Sequence, residues 1–244
     1  MCYPFGRKHQ EALGSETPRV HHAHGLGSGV AARGARAAAG EAGHRISRDQ
    51  IARNDYRAAA RFQLTAKRLD LLREMLPRAS RIAVLVNPAN TVNTQTTLRE
   101  VEAAGPAVGF QMQIVNVGTS REIDTAFAAF ARERPDAVFL GQDAFFVGRR
   151  LQLANWATRH ALPMTSGSRD ICEVGGLMSY GSNIVDSYRQ EGVYVGRILK
   201  GAKPADLPVE QSVKFELVIN AQTARIFGLE IPATLLARAD EVIE

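Results

Sequence analysis

The central part of the chain opens with an apolar run that is typical of a strand buried on both faces. Residues 82–86 read Ile-Ala-Val-Leu-Val and stop sharply at Asn87 and Pro88. The run follows residues 64–76, in which apolar side chains recur at helical spacing until Pro77. An apolar run of this length, bounded by turn residues, predicts a strand of a parallel sheet, because such strands have helices on both faces.

The same two patterns alternate along the rest of the chain. Further strands are predicted at residues 111–117, 137–140, 163–165, 177–180 and 213–219. Further helices or helical turns are predicted at residues 92–104, 120–132, 147–160, 169–174, 184–199, 221–227 and 232–237. Strict alternation predicts the α/β class, with a doubly wound parallel sheet and right-handed crossovers. In such sheets, ligands bind beyond the carboxyl ends of the strands.

Residues 1–60 differ in composition from the remainder. They sustain no helical or strand period and hold few large apolar residues, which predicts a disordered or aberrant segment. They contain nine basic and five acidic residues, so they account for most of the formal charge of +5. Residues 61–244 are therefore expected to form the folded α/β region, without the basic stripe that nucleic-acid binding requires.

Export, membrane insertion and metal binding have no clear signal in the sequence. No stretch approaches the roughly 18 apolar residues of a membrane span. The N-terminus lacks the apolar core of a signal peptide, so the chain as written is not expected to be exported. Cys2 and Cys172 are too few for a disulfide framework and too far apart to suggest a metal pair. We expect Cys172 to be a core residue, and we expect no metal and no cofactor.

Small and polar residues follow the predicted strands. The loops in question are residues 87–90, 118–120, 141–143, 166–169 and 180–183. Each residue alone suits an ordinary turn or helix cap. Because the loops meet at one edge of a parallel sheet, however, the set predicts a rim that binds a small polar ligand.

Three side chains of this rim have two interpretations each. Asp143 either holds an ammonium group of a ligand or caps the helix that it precedes. Arg169 either clamps an anion or pairs with the carboxylate of Asp170 or Glu173. Tyr180 either stacks on a ligand or packs at a junction between lobes.

The folded region lacks a recognisable catalytic pattern. It contains no carboxylate pair, no nucleophile elbow, no phosphate-binding loop and no spaced His and Cys ligands. His160, the one histidine of this region, ends a predicted helix, where a cation suits the helix dipole. The chain is therefore not expected to be an enzyme.

Several segments resemble the ABC-transporter substrate-binding proteins of the tryptophan/tyrosine-type group. The similar segments are residues 67–74 (KRLDLLRE), 81–90, 175–181 (GGLMSYG), 188–190, 198–210, 215–220 and 239–243. The resemblance implies a periplasmic-binding-protein-like fold, in which two α/β lobes enclose a ligand cleft. It further implies a periplasmic protein that captures a small, amino-acid-like solute without catalysis and delivers it to an ABC permease of the inner membrane. We expect a monomer.

The chain departs from the family's pattern at three places. Family members begin with a signal peptide and a complete first lobe, which residues 1–60 do not match. We therefore expect one lobe and only part of the second, because of a truncated, frame-shifted or mis-started reading frame. In addition, Asn183 stands where an Asp is usual, and Ser166 stands where an aromatic residue is often found.

The resemblance also implies a set of ligand-binding residues. Carried over onto this chain, they are Asn87, Ala89, Asp143, Ser166 and Tyr180. In this interpretation Asp143 meets a ligand amine, the loops of Asn87 and Ser166 supply hydrogen bonds, and Tyr180 lies at the hinge. The alternative function is a cytosolic ligand-sensing or regulatory domain of the same fold, since the export signal is missing. An enzyme that uses the same rim is disfavoured by the lack of any nucleophile–base spacing.

Overall fold

The apolar runs of the sequence assemble into a seven-stranded sheet. The structure is a computed structural model that describes residues 63–207 and 214–244, so the predicted irregular segment 1–60 lies outside the described residues. The strands are β1 (Arg81–Val86), β2 (Gln111–Asn116), β3 (Ala137–Leu140), β4 (Met164–Ser166), β5 (Met178–Ser182), β6 (Phe215–Asn220) and β7 (Glu241–Ile243). They lie side by side in the order β2-β1-β3-β4-β5-β6-β7.

The first five strands are parallel, which confirms the doubly wound α/β class. One predicted strand differs from the expected direction, because β6 pairs with β5 in antiparallel fashion. β7 in turn is parallel to β6. The reversal follows from the path of the chain after β5. The chain leaves the sheet at Ser182 and returns beside it, where the Asn183 amide donates to the Lys214 carbonyl (3.0 Å). A strand that begins where its neighbour ends must run in the opposite direction.

The helices lie close to their predicted positions. Their bounds are α1 (residues 63–75), α2 (Thr91–Ala104), α3 (Ser120–Glu133), α4 (Ala144–Gly148), α5 (Arg150–Arg159), α6 (Arg169–Glu173), α7 (Ile184–Leu199), α8 (Ala221–Ile226) and α9 (Ala233–Leu236). The predicted helix 147–160 is divided into α4 and α5, and Asp143 caps the first of them. β7 was not predicted, because three residues are too few to show a period.

Two apolar clusters fill the two faces of the sheet, and β1 shows how. Ile82, Val84 and Val86 belong to the first cluster, which α1 and α2 cover. Ala83 and Leu85 belong to the second, which α3 and α5 cover. All five side chains are at most 1% exposed. The interior of β1 therefore offers no room for polar chemistry, and its polar residues follow at the strand end.

α7 stands apart from this core. None of its 16 residues is buried among the described part of the chain. Gly192 and Gly196 each lie where an added Cβ would meet no atom within 4 Å. An apolar stripe at helical spacing is exposed around them and consists of Ile184, Val185, Tyr188, Val195 and Leu199. The described helices, α7 included, are each too short or too polar to cross a bilayer.

Two glycines allow β5 to pass close to the loop after β4. Gly181 lies in β5, and Gly167 directly follows β4. A Cβ at Gly181 would overlap the carbonyl oxygen of Gly167 and would lie 2.9 Å from its carbonyl carbon. Because the obstacle is backbone, no change of side-chain rotamer relieves it.

We expect Gly181→Ala to lower the free energy of unfolding by about 2 kcal/mol or more, since overpacking typically costs about 1–3 kcal/mol. Gly192→Ala is the matched control, because its Cβ would meet no atom and alanine favours a helix by up to about 1 kcal/mol. Urea denaturation of the full chain measures both variants. A Gly181→Ala protein as stable as the wild type would contradict the close approach.

Asp136 ties the start of β1 to the start of β3. Its Oδ2 accepts hydrogen bonds from the backbone amides of Ser80 (2.7 Å) and Arg81 (2.8 Å) and from the Ser80 hydroxyl (3.2 Å). Partial burial raises the pKa of Asp136, but these hydrogen bonds lower it more. The net pKa lies below its ordinary value of 3.8.

A carboxyl group whose pKa is lower in the folded state than in the unfolded state stabilises the fold at every pH above its unfolded-state pKa. That contribution is lost as the pH falls through the folded-state pKa. We expect Asp136→Ala to lower the free energy of unfolding by about 1 kcal/mol near neutral pH, since it removes these hydrogen bonds. The difference from the wild type should shrink as the pH falls below 3.8. Urea denaturation across the acid range checks this, and a difference that grows with acidity would refute it.

Candidate functional site

A cleft of about 600 Å³ lies beyond the carboxyl ends of β3, β4 and β5, at the edge that the sequence predicted. A cavity of this size suits a small molecule. Its polar lining consists of Asn93, Gln142, Asp143, Ser166, Ser168, Arg169, Asp170, Ser182 and Tyr188. Its apolar lining includes Leu140, Phe146, Val147, Ile171 and Ile184.

Asp143 joins the loops after β1 and β3 at the rim of this cleft. Its Oδ1 accepts hydrogen bonds from the Asn87 side chain (3.0 Å) and the Phe145 amide (2.9 Å). Its Oδ2 accepts one from the Asn90 side chain (2.7 Å). The predicted helix-capping role is thereby confirmed, and the ligand-binding role stays a prediction. Since a carboxylate has about four acceptor positions, roughly one position on Oδ2 is left for a ligand.

Ser166 closes the loop after β4 on itself. Its hydroxyl donates to the carbonyl of Ser168 (2.8 Å) and accepts from the amide of the same residue (3.1 Å). The Ser168 hydroxyl in turn donates to Asp170 (2.9 Å). Ser166 lines the cleft, on a loop whose shape is held by internal hydrogen bonds, and its role as a ligand contact stays a prediction.

Arg169 lines the cleft, but its charge is paired with carboxylates that do not belong to the cleft lining. Its guanidinium contacts the carboxylates of Glu173 (2.8 Å), Glu241 (2.9 Å) and Glu216 (3.6 Å). The hydrogen bond to Glu173 raises the pKa of Arg169 above its ordinary range, against the effect of desolvation, and Glu241 raises it further. The predicted pairing with Glu173 is confirmed. The alternative, an anion clamp, is not favoured, because three carboxylates already surround the cation.

Three of the five predicted ligand-binding residues, Asn87, Ala89 and Tyr180, are not among the described residues that line the cleft. The ring of Tyr180 packs against Phe215, with ring centroids 6.3 Å apart, and against the first apolar cluster. Ala89 is exposed in the turn after β1, where its amide donates to the Asn87 side chain (3.1 Å). Asn87, Asp143 and Ser166 lie at the same edge of the sheet. Of these three, Asp143 and Ser166 line the cleft, and Asn87 donates a hydrogen bond to Asp143.

Several cleft residues were not predicted as ligand contacts, among them three from α2 and α7. Asn93 lies in the first turn of α2, and Ile184 and Tyr188 lie in the first turns of α7. The residues of α7 were missed because an apolar stripe at helical spacing more often indicates a core. A usable signal existed, since Tyr188 is an aromatic residue one turn into a helix that follows a strand-end loop.

The arrangement can bind and orient a polar molecule by hydrogen bonds and charge. In the part of the chain that the structure describes, no group of three or more His, Cys, Asp or Glu side chains is placed to hold a metal ion. Cys172 is fully buried, as predicted, and desolvation raises the pKa of its thiol to about 12. The thiol therefore stays protonated at neutral pH.

Solved structures of other proteins share this fold. One is the ABC domain in complex with L-Trp from Streptococcus pneumonia, with a TM-score of 0.67, 25% identity, and coverage of 74% of this chain and 60% of that chain. A conserved domain protein from Vibrio cholerae has a TM-score of 0.65 and 26% identity, over 73% of this chain and 60% of that chain. This chain thus spans 60% of the length of either structure.

A third similar structure shows the fold alone. It is the ligand-free, open structure of CD0873, a substrate binding protein with adhesive properties from Clostridium difficile. Its TM-score is 0.56 at 22% identity, over 72% of this chain and 59% of that chain.

The family assignment comes from the sequence of the same region. A search of curated protein sequences found no match. Residues 61–243 match the family described as ABC transporter substrate binding protein. This range contains β1 to β7 and the whole cleft, and it confirms the predicted resemblance and the periplasmic-binding-protein-like fold. The chain belongs to the family of ABC transporter substrate-binding proteins.

Proposed function

We propose that this chain is the solute-binding component of an ABC importer, and that it captures a small, polar, amino-acid-like solute in the cleft beyond β3, β4 and β5. The observation that carries the proposal is the placement of Asp143 at the rim of a 600 Å³ cleft in a member of this family. The predicted roles of Asn87 and Ser166, which shape the adjoining loops, belong to the same proposal.

The charge of the cleft supports a ligand with an ammonium group. Asp143 and Asp170 line the cleft, whereas the one cation of its lining, Arg169, is already paired with glutamates. The lining therefore has a surplus of negative charge, which attracts a cationic group. The side-chain amides of Gln142 and Asn93 are placed to bond the remaining polar groups of the solute.

The apolar lining supports a solute that also carries a hydrophobic side chain. Phe146, Ile171 and Ile184 provide an apolar surface beside the acidic rim. An amino acid presents these two kinds of group a few ångströms apart. The Streptococcus pneumonia structure, at 25% identity, was solved with L-Trp, which makes aromatic amino acids the first solutes to test.

α7 supports the two-lobed organisation that the family resemblance implies. Its exposed stripe is apolar, and Ile184 and Tyr188 belong to both the stripe and the cleft. We infer that a second α/β lobe covers this stripe and faces the cleft. Closure of two such lobes is a hinge motion, and the solute shifts it by binding the closed state more tightly.

The proposal includes delivery of the solute to an ABC permease of the inner membrane. The family binds small-molecule solutes, works with such permeases and is typically periplasmic or extracellular. We propose the periplasm as the working compartment, a monomer as the working form, and a role that involves no catalysis, cofactor or nucleic acid.

An NMR titration of the full chain with individual L-amino acids, beginning with L-tryptophan, tests the proposal. We expect saturable shifts of backbone amides in residues 141–147, 166–171 and 182–188, because these segments line the cleft. Such a titration also detects weak binding. Shifts that are absent for all the amino acids, or scattered over the surface without saturation, would count against the proposed function.

Asp143→Asn separates the ammonium contact from the rest of the site. We expect it to weaken the binding of an amino acid at least about tenfold, since a charge-assisted hydrogen bond becomes a neutral one. Asp70→Asn, on the exposed side of α1, is the control and should leave the affinity unchanged. Equal affinities for the wild type and Asp143→Asn would exclude Asp143 as the ammonium partner.

A further inference from the structure

A charged side chain lies inside the apolar face of α1. Arg68 is only 2% exposed, on the same helical stripe as Leu64 and Leu72. Burial lowers the pKa of Arg68 to about 10, and the Glu100 carboxylate acts in the opposite direction. The guanidinium is therefore still charged at neutral pH. Burying a charge costs free energy unless the charge is hydrogen-bonded or paired. The contacts of Arg68 should therefore show why a charged residue occupies this buried position.

Several of these contacts lie in or beside the segments that form the cleft. The Nε of Arg68 donates to the carbonyl of Tyr180 in β5 (3.2 Å). Its guanidinium carbon lies 4.9 Å from the ring centroid of Phe139 in β3. At Gly167, after β4, an added Cβ would lie 2.7 Å from the Nη2 of Arg68 and would overlap the side-chain amide of Gln142. Three successive strand ends thus meet around one guanidinium.

Glu100 supplies the opposing charge from the next helix. Its side chain, on α2, is 8% exposed, and its Oε2 accepts a hydrogen bond from Thr65 on α1 (2.6 Å). Arg68, Glu100 and Gln142 line a cavity of about 30 Å³, the size of a water molecule. The hydrogen bond from Thr65 to Glu100 therefore joins α1 and α2 beside the cavity that Gln142 also lines.

We propose that Arg68 is a positioning residue of the cleft, whose buried guanidinium holds the loops after β3, β4 and β5 in the arrangement that receives the solute. The proposal deepens the proposed function, and it rests on that function only for the statement that the cleft receives a solute. Arg68 itself does not line the cleft, whereas Gln142 and Gly167 do. The residue acts through them.

Arg73 offers a matched control on the same helix. It is also an arginine of α1 that binds backbone carbonyls, in this case those of Ala79 (2.6 Å), Val108 (2.8 Å) and Gly109 (2.9 Å). It also lies over an aromatic ring, that of Phe110 (4.0 Å). These partners directly precede β1 and β2, so Arg73 contacts the edge formed by the amino ends of the strands, opposite the cleft.

Hydrogen–deuterium exchange of the full chain, measured without ligand, tests the proposal. In Arg68→Met we expect amides of residues 141–143, 166–169 and 180–183 to exchange about tenfold faster than in the wild type, because they lose a shared charged partner. Amides of β2 and α3 should be unchanged. In Arg73→Met the faster exchange should instead appear at residues 77–80 and 105–110, with the cleft loops unchanged.

A second variant keeps the test decisive if Arg68→Met does not fold. Arg68→Lys retains the buried charge but loses the planar fork of donors, so it should show the same loop-specific increase. An increase spread evenly over the sheet, or none in the three loops, would overturn the positioning role. Because no ligand is used, failure here leaves the proposed function intact, and a failed NMR titration leaves the positioning of the loops intact.

Discussion

Burial of the sheet on both faces is the constraint on which the rest of this structure depends. A strand such as β1, whose residues 82–86 are almost fully excluded from solvent, cannot present polar groups along its length without losing their hydrogen bonds to water. The polar side chains of the candidate site accordingly lie at the strand ends. There they bond to one another across loops, as Asp143 does with Asn87 and Asn90.

Features that depend on residues close together in the sequence were predicted, whereas contacts between residues far apart in the sequence were not. Helices, the longer strands and the Asp143 cap depend on neighbours a few residues away, and most of them were visible as local patterns. The bond from Asn87 to Asp143 spans 56 residues, and the one from Arg169 to Glu241 spans 72. Loop polarity indicated the edge where these groups meet, but no local pattern indicated their pairing.

Two further features did not follow from local patterns for the same reason. The antiparallel return of β6 depends on where the chain re-enters the sheet after α7, which the period of β6 itself does not encode. Tyr180 ends an apolar strand, and only its packing against Phe215 and the core cluster shows that its ring turns inwards. Local composition alone is equally compatible with a ring that faces a ligand.

The overlap between α7 and the cleft has a thermodynamic consequence. Ile184 and Tyr188 belong at once to the cleft lining and to the uncovered apolar stripe. Any surface that comes to rest on the stripe must alter the environment that a molecule in the cleft experiences. The free energies of the two events are then coupled, and the coupling is reciprocal: each multiplies the equilibrium constant of the other by one common factor. Affinity measured at this cleft is therefore a property of the cleft together with whatever lies on α7.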